Sequence, residues 1–201
     1  MSDIQTPAKE DVWWSNLEGD EIDHNLHGNP PYDVDAVAQR IIGSCLYPGR
    51  VLDMGCGVGR LTNHIARELD TSSVLGFDIS GPFVHVAAEK SPVNAHYWHS
   101  DGRTIPDGIT GTFDLIYSVT MFQHIPHDAK WSYICQAAER IRPGGAFVFT
   151  VAVGDEPPSF LNHQLTHSEL EDFASAMTNL FETVSVDGPD DNGWHWVTAR
   201  A

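Results

Sequence analysis

The chain has 201 residues, with 11 Lys+Arg against 28 Asp+Glu and a formal net charge of -17. That length suits a single domain with a sizeable core, and the acidic balance argues against generic attraction to nucleic acid, whose affinity rests on cationic contacts. No apolar run is long enough to span a membrane, Met1-Ser2-Asp3 does not read as a signal peptide, and Cys45, Cys56 and Cys135 are too few and scattered for a disulfide frame, so a cytoplasmic protein with reduced thiols is expected.

Residues 1–32 are polar and acidic, with isolated aromatics at Trp13, Trp14 and Tyr32. A helix is expected over Val34–Leu46, capped by Asp33. Val51-Leu52-Asp53-Met54 then reads as a strand, and it runs into Gly55-Cys56-Gly57-Val58-Gly59-Arg60, a turn with glycine at alternate positions. Helical periodicity follows over Leu61–Leu69. This strand, turn and helix form a ligand cradle: glycine lets the backbone approach the ligand, and the helix start offers unpaired N–H groups.

Val74–Ser80 reads as a second strand ending in Asp78, and Ala95–Gly102 as a third ending in Asp101-Gly102. Phe113–Thr120 is the fourth, with Asp114 serving strand entry and the binding end at Ser118 and beyond, because open α/β sheets bind ligands at the carboxyl ends of their strands. Arg140–Val151 reads as a helix end, a Pro143-Gly144-Gly145 turn and a fifth strand. Leu165–Met177 is expected as a helix. Two strands, Phe181–Asp187 and Trp194–Ala199, close the chain around a Gly-Pro-Asp-Asp-Asn-Gly loop. Alternating strands and helices give a parallel sheet with right-handed crossovers.

The order of these landmarks resembles the class I S-adenosylmethionine (SAM)-dependent methyltransferases. Asp53-x-Gly55-x-Gly57-x-Gly59 resembles their first motif, and the likeness covers roughly residues 48–152. It implies a doubly wound, Rossmann-like α/β fold. The sheet would have seven strands, mostly parallel, with an antiparallel C-terminal hairpin strand. The whole of 1–201 would be one domain, with 1–32 as a capping or lid segment on a core at 33–201. It also implies SAM as methyl donor and S-adenosylhomocysteine (SAH) as product. The cofactor contacts would come from Asp53, Gly55, Cys56, Gly57 and Arg60, from Asp78 and Ile79 beside the ribose, from Asp101 and Gly102 beside adenine, and from Ser118. A carboxylate suits the ribose because it accepts two hydrogen bonds from neighbouring hydroxyls. The acceptor would be an oxygen or nitrogen of a small molecule.

Met121-Phe122-Gln123-His124-Ile125-Pro126-His127-Asp128 lies just beyond the fourth strand, beside the expected methyl group. Its Gln-His-Ile-Pro core is similar to a pattern of small-molecule methyltransferases. His124 is the candidate base or acceptor-orienting group, against the plainer reading of a loop-anchoring histidine. Phe122 is a candidate to pack on the cofactor, and His127 a helix-start residue. For Asp78 and Asp101 the plain readings are helix capping, with Ser80 as the better cap, and loop solvation.

Several alternatives stand beside this reading. A nicotinamide-dependent oxidoreductase would want Gly or Ala where Arg60 stands. A nucleic-acid methyltransferase would need a basic groove, for which Lys130, Arg140 and Arg142 are the available residues. A protein methyltransferase is a further alternative, and a catalytically silent SAM-binding protein would bind without turnover. Asn29-Pro30-Pro31-Tyr32 spells the signature of amino-group methyltransferases, but it stands before the glycine turn and not after the fourth strand, so a turn into the first helix is expected there. Eleven histidines invite a metal, yet no pair sits with a recognised ligand set, and no metal is expected.

Overall fold

The computed structural model describes Trp14 and residues 32–69, 72–155 and 162–201. The Asn29-Pro30-Pro31 part of the tetrapeptide, Trp13 and nearly all of the expected lid lie outside the described residues.

Seven strands form one sheet: β1 (Arg50–Met54), β2 (Ser73–Asp78), β3 (Ala95–His99), β4 (Phe113–Ser118), β5 (Ile141–Ala152), β6 (Thr183–Asp187) and β7 (Trp194–Arg200). Their spatial order is β3-β2-β1-β4-β5-β7-β6. The first five run parallel, and β7 is antiparallel to both β5 and β6. This is the expected mostly parallel sheet with its antiparallel C-terminal strand.

Helices cover both faces, and the pleat explains how. Val51 faces a cluster with Val37, Ala38 and Ile41 of α1 (Val34–Ile42) and Leu61, Ile65 and Ala66 of α2 (Arg60–Glu68). Leu52 and Met54 face the opposite cluster, with Tyr133, Ile134 and Ala137 of α4 (His127–Arg140) and Leu170 and Met177 of α5 (His167–Met177). Alternate strand residues point to opposite faces, so one short strand feeds both cores. Between β2 and β3 runs α3 (Gly81–Glu89).

Local signals set the helix starts. Asp33 caps α1 by accepting from Ala36 N, as expected, and Ser80 caps α3 by accepting from Phe83 N. Thr166 and Glu169 form a reciprocal capping box on α5, so this helix begins at His167, two residues later than expected. Helix α1 ends at Ile42 and not at Leu46, with Gly43 as its C-cap donating its N–H to the Gln39 carbonyl.

The Pro143-Gly144-Gly145 turn is corrected more deeply. Helix α4 stops at Arg140, and Ile141 already pairs with Phe113 as strand. The register then jumps, with Leu115 opposite Ala146, so the Pro-Gly-Gly segment is an irregularity inside β5. Gly144 sits at φ 79, and its N–H donates to the Ala201 carbonyl at 2.6 Å. Proline and glycine are tolerated in a strand at such bulges.

Candidate active site

The strand order reverses between β1 and β4, and the carboxyl ends of these two strands open on a cavity in two connected parts. Gly55, Gly57, Thr120, His124 and Trp14 line both parts. One part extends past Phe77, Asp78 and Ile79 to Phe83, Ser100 and Gly102. The other extends past Asp53, Cys56 and Arg60 to Tyr32, Gln123, Asn192 and Trp194. A crevice at the switch point is where open α/β sheets bind ligands.

The glycine turn is built by specific bonds. Gly55 N and Cys56 N both donate to the Phe77 carbonyl at 2.9 Å, and Gly57 N donates to Asp78 Oδ2 at 2.8 Å. Gly55, Gly57 and Gly59 all have positive φ, at 80°, 53° and 75°. Their surroundings differ. A Cβ on Gly55 would come within 2.7 Å of Met121, and one on Gly59 within 2.8 Å of Ala87. A Cβ on Gly57 would meet nothing within 4 Å and would project into the open cradle. Gly59 thus supplies the close helix packing that the dinucleotide pattern assigns to the following position, and Arg60 is left to line the cavity.

Asp53 is 3 % exposed and accepts from Thr62 Oγ1 and from Tyr117 Oη, the latter at 2.9 Å. Burial raises its pKa to about 7 against the pull of those two bonds, and the nearby Asp78 charge adds to the rise. Asp78 Oδ1 accepts from Ser80 N at 2.9 Å, and burial raises this carboxyl too. Each Asp78 oxygen therefore holds one backbone N–H and keeps further acceptor capacity. Helix α2 starts at Arg60 with no side-chain cap on its first N–H groups, and Arg60 and Leu61 of this first turn line the cavity. The Arg60 Nη2 is buried and has no hydrogen-bond partner among the described residues. A buried guanidinium nitrogen is costly to leave unpaired, so the geometry here suits an anion.

Two candidate residues take other positions. Ser118 is fully buried and donates to the Met54 carbonyl at 2.8 Å, so it ties β4 to β1 below the cavity, and Thr120 (φ 65) reaches the wall in its place. Asp101 is exposed and turned into its own loop, where Oδ1 accepts from Arg103 N at 2.8 Å and Thr104 N at 2.9 Å; Ser100 and Gly102 line the cavity instead. Phe122, expected on the cofactor, stacks on Phe149 at 4.5 Å inside the core. His124 closes a 3-10 turn (Phe122–His124), with its ring 5.2 Å from Trp14 and its Nε2 3.3 Å from Gln123 Nε2.

The candidate basic groove dissolves. Lys130 is 1 % exposed, with Nζ donating to the Ile125 carbonyl at 2.6 Å and the His163 carbonyl at 2.8 Å. Arg140 donates to the Ile109 carbonyl, and Arg142 pairs with Asp114 at 2.8 Å. Asp114 also accepts from Arg50 N, which is the strand-entry role expected of it. No group of three potential metal ligands occurs among the described residues.

Residues 51–145 match the family model of the methyltransferase domain. The chain belongs to the class I SAM-dependent methyltransferases. Over 141 residues it is 33 % identical to the ubiquinone biosynthesis O-methyltransferase of Erwinia tasmaniensis, covering 69 % of this chain and 54 % of that protein. It is 28 % identical to the trans-aconitate 2-methyltransferase of Deinococcus radiodurans, covering 61 % of this chain and 45 % of the relative. The chain thus spans about half the length of the curated relatives it matches. In structure it is similar to DhpI in a SAM complex, with a TM-score of 0.72, 18 % identity and coverage of 98 % and 100 % of the two chains. Magnesium protoporphyrin IX methyltransferase from Synechocystis with bound SAM gives a TM-score of 0.69, 16 % identity and coverage of 98 % and 99 %. These two structures share the fold of this family member. No helix among its described residues is long and apolar enough to cross a membrane.

Asn192 and Trp194 reach the cavity without any local signal in the sequence, whereas Tyr32 stood among the aromatics of the expected lid and Gln123 in the Gln-His-Ile-Pro core. Arg60 carried one, as the residue that breaks the dinucleotide pattern.

Proposed function

We propose that this chain is a methyltransferase that binds SAM across the two parts of the cavity and methylates an oxygen or nitrogen of a small molecule. The observation that carries the reading is the unpaired Arg60 guanidinium beside the uncapped start of α2, within reach of a cradle whose central glycine faces open space. An α-carboxylate is the anion that fits there. The Asp78 carboxylate, one β2 strand end away, has the acceptor capacity for a ribose diol, and Phe83 with Ile79 offers apolar wall for adenine. The residues present fit the cofactor. The relatives' names, an O-methyltransferase of ubiquinone biosynthesis and a trans-aconitate methyltransferase, support a small-molecule acceptor.

SAM, when bound, supplies the methyl: the acceptor atom bonds its carbon as the carbon–sulfur bond breaks, and the electron pair stays on sulfur to leave SAH. The chain's own work is to align the acceptor and to take a proton. His124 stands on the wall shared by both parts of the cavity and receives the proton of an acceptor hydroxyl. Trp14 stands over His124 and shields the reacting atoms from water. That contact supports reading 1–201 as one domain in which 1–32 covers a core at 33–201. Three free thiols support a reducing, cytoplasmic setting.

The test is titration calorimetry with SAM, SAH and NAD on the wild type, Arg60→Met and Asp78→Ala. Wild type binds SAM and SAH and ignores NAD, and each variant weakens SAM by about tenfold or more, the value of one charge-assisted contact. NAD binding in place of SAM sinks the reading in favour of an oxidoreductase. SAM binding indifferent to Arg60→Met removes the carboxylate assignment.

A further inference from the structure

The part of the cavity beyond Arg60 has a wall assembled from two distant places in the chain. Tyr32 comes from the entry to α1, and Asn192 and Trp194 from the β6–β7 connection. The Tyr32 and Trp194 rings meet at 64° with centroids 5.5 Å apart. His124 and Trp14 line the same part, and Gln123 and Asn192 bring two neutral carboxamides.

This wall is fixed in place. Asp190 accepts from Asn192 N at 2.9 Å, from Trp194 N at 3.0 Å and from Trp196 Nε1 at 2.8 Å, which locks the loop that presents Asn192 and Trp194. Trp196 is held in turn under the Arg40 guanidinium, 4.6 Å from its ring centroid. A rigid aromatic wall selects shape better than a mobile one.

Charge narrows the occupant further. Asp53 is the one carboxylate lining this part among the described residues, and it already accepts from Thr62 and Tyr117. Both of those bonds fall on Oδ2, and an ammonium-bearing acceptor would meet no second carboxylate among the described residues lining this part. Among the described residues lining this part Arg60 is the one guanidinium, and with the amino-acid end of SAM on it a polycarboxylate would lack a second one. What remains is aromatic edge and face, neutral hydrogen-bonding amides and an imidazole. A flat ring with a hydroxyl meets all three.

We infer that this part of the cavity binds a planar aromatic acceptor, its ring held by Tyr32 and Trp194 and its methyl-accepting hydroxyl turned to His124. The inference rests on the proposed SAM reading. The cavity volume of about 440 Å³, shared with the amino-acid end of SAM, suits a single substituted ring. The Tyr32 phenol stays protonated, because burial and the Asp53 charge push it up to about 12, and it serves the acceptor as a donor.

The experiment is calorimetric titration of the full chain, first with SAH alone and then, SAH-loaded, with catechol, caffeate, trans-aconitate and ethanolamine. Catechol or caffeate binds the loaded protein, and the two aliphatic probes do not. Tyr32→Ala weakens the aromatic probe by about tenfold while changing the SAH Kd by less than about threefold. Trp194→Leu does the same where it folds, and Tyr32→Ala carries the test if it does not. SAH binding with aromatic probes no tighter than trans-aconitate or ethanolamine overturns the inference, as does an aromatic Kd indifferent to Tyr32→Ala. Absence of SAH binding defeats the proposed function itself, and the inference falls with it.

Discussion

Asp53 is an acid placed where its charge is costly. Its carboxyl titrates near 7 in the folded chain against an ordinary 3.8, so the folded state binds a proton that the unfolded state has released. The sign follows: this contribution to stability is fully present below about pH 4 and is lost as pH rises through 7, by a few kcal/mol at most. Asp78 shifts the same way and adds to the trend. Asp53→Asn should therefore flatten the fall in Tm between pH 5 and pH 7.5, measured by thermal melts without ligand. Equal slopes in variant and wild type would remove Asp53 as the proton-binding group. At this scale the glycine turn and the acid at the end of β2 were legible, because their spacing dictates backbone placement. Where the Ser118 and Asp101 side chains turn was not legible, because spacing identifies a strand end but not the direction of a short polar side chain. Asp101 found two N–H groups three residues or fewer away, and Ser118 a carbonyl on the neighbouring strand.

Helix α4 carries a latch between the segments that follow β4 and β5. Lys130 Nζ joins the Ile125 and His163 carbonyls, and His163 N donates to the Gln123 carbonyl at 2.6 Å, so the turn bearing His124 is tied to residues 162–165. Burial lowers the Lys130 pKa to about 8, with Glu169 opposing. Lys130→Met leaves two carbonyls unsatisfied, at about 1–3 kcal/mol each where no water replaces the lysine. It should lower Tm and cut methyl transfer while SAM affinity holds within about threefold, since the turn and not the cofactor cradle loses its tie. Lys130→Arg should restore part of the activity. Unchanged turnover in Lys130→Met would show that the latch does not position His124. Strands and helices were legible from periodicity and caps, as with Asp33 and Ser80. The Pro-Gly-Gly segment was not, since the same residues end helices and bulge strands, and only pairing with Phe113 decides between them.

Across the whole molecule, a charge of -17 on 201 residues sets up self-repulsion, and few ion pairs among the described residues offset it. Raising sodium chloride from about 10 mM to about 150 mM shortens the Debye length from about 30 Å to about 8 Å and should raise Tm by several degrees. A flat Tm across that range would mean that the negative charges are already balanced locally. The overall architecture was legible because alternation of elements leaves few topologies. The acceptor wall was not, since Tyr32 and Trp194 stand at opposite ends of the described chain and meet only after the sheet has closed. That closure has an order imposed by the placement of β7. The strand made later in synthesis occupies the inner position between β5 and β6, so β6 has nothing to pair with until Trp194–Arg200 has left the ribosome. A nascent chain paused before Trp194 holds five parallel strands and an unzipped β5 edge, which is the state that chaperones and aggregation compete for.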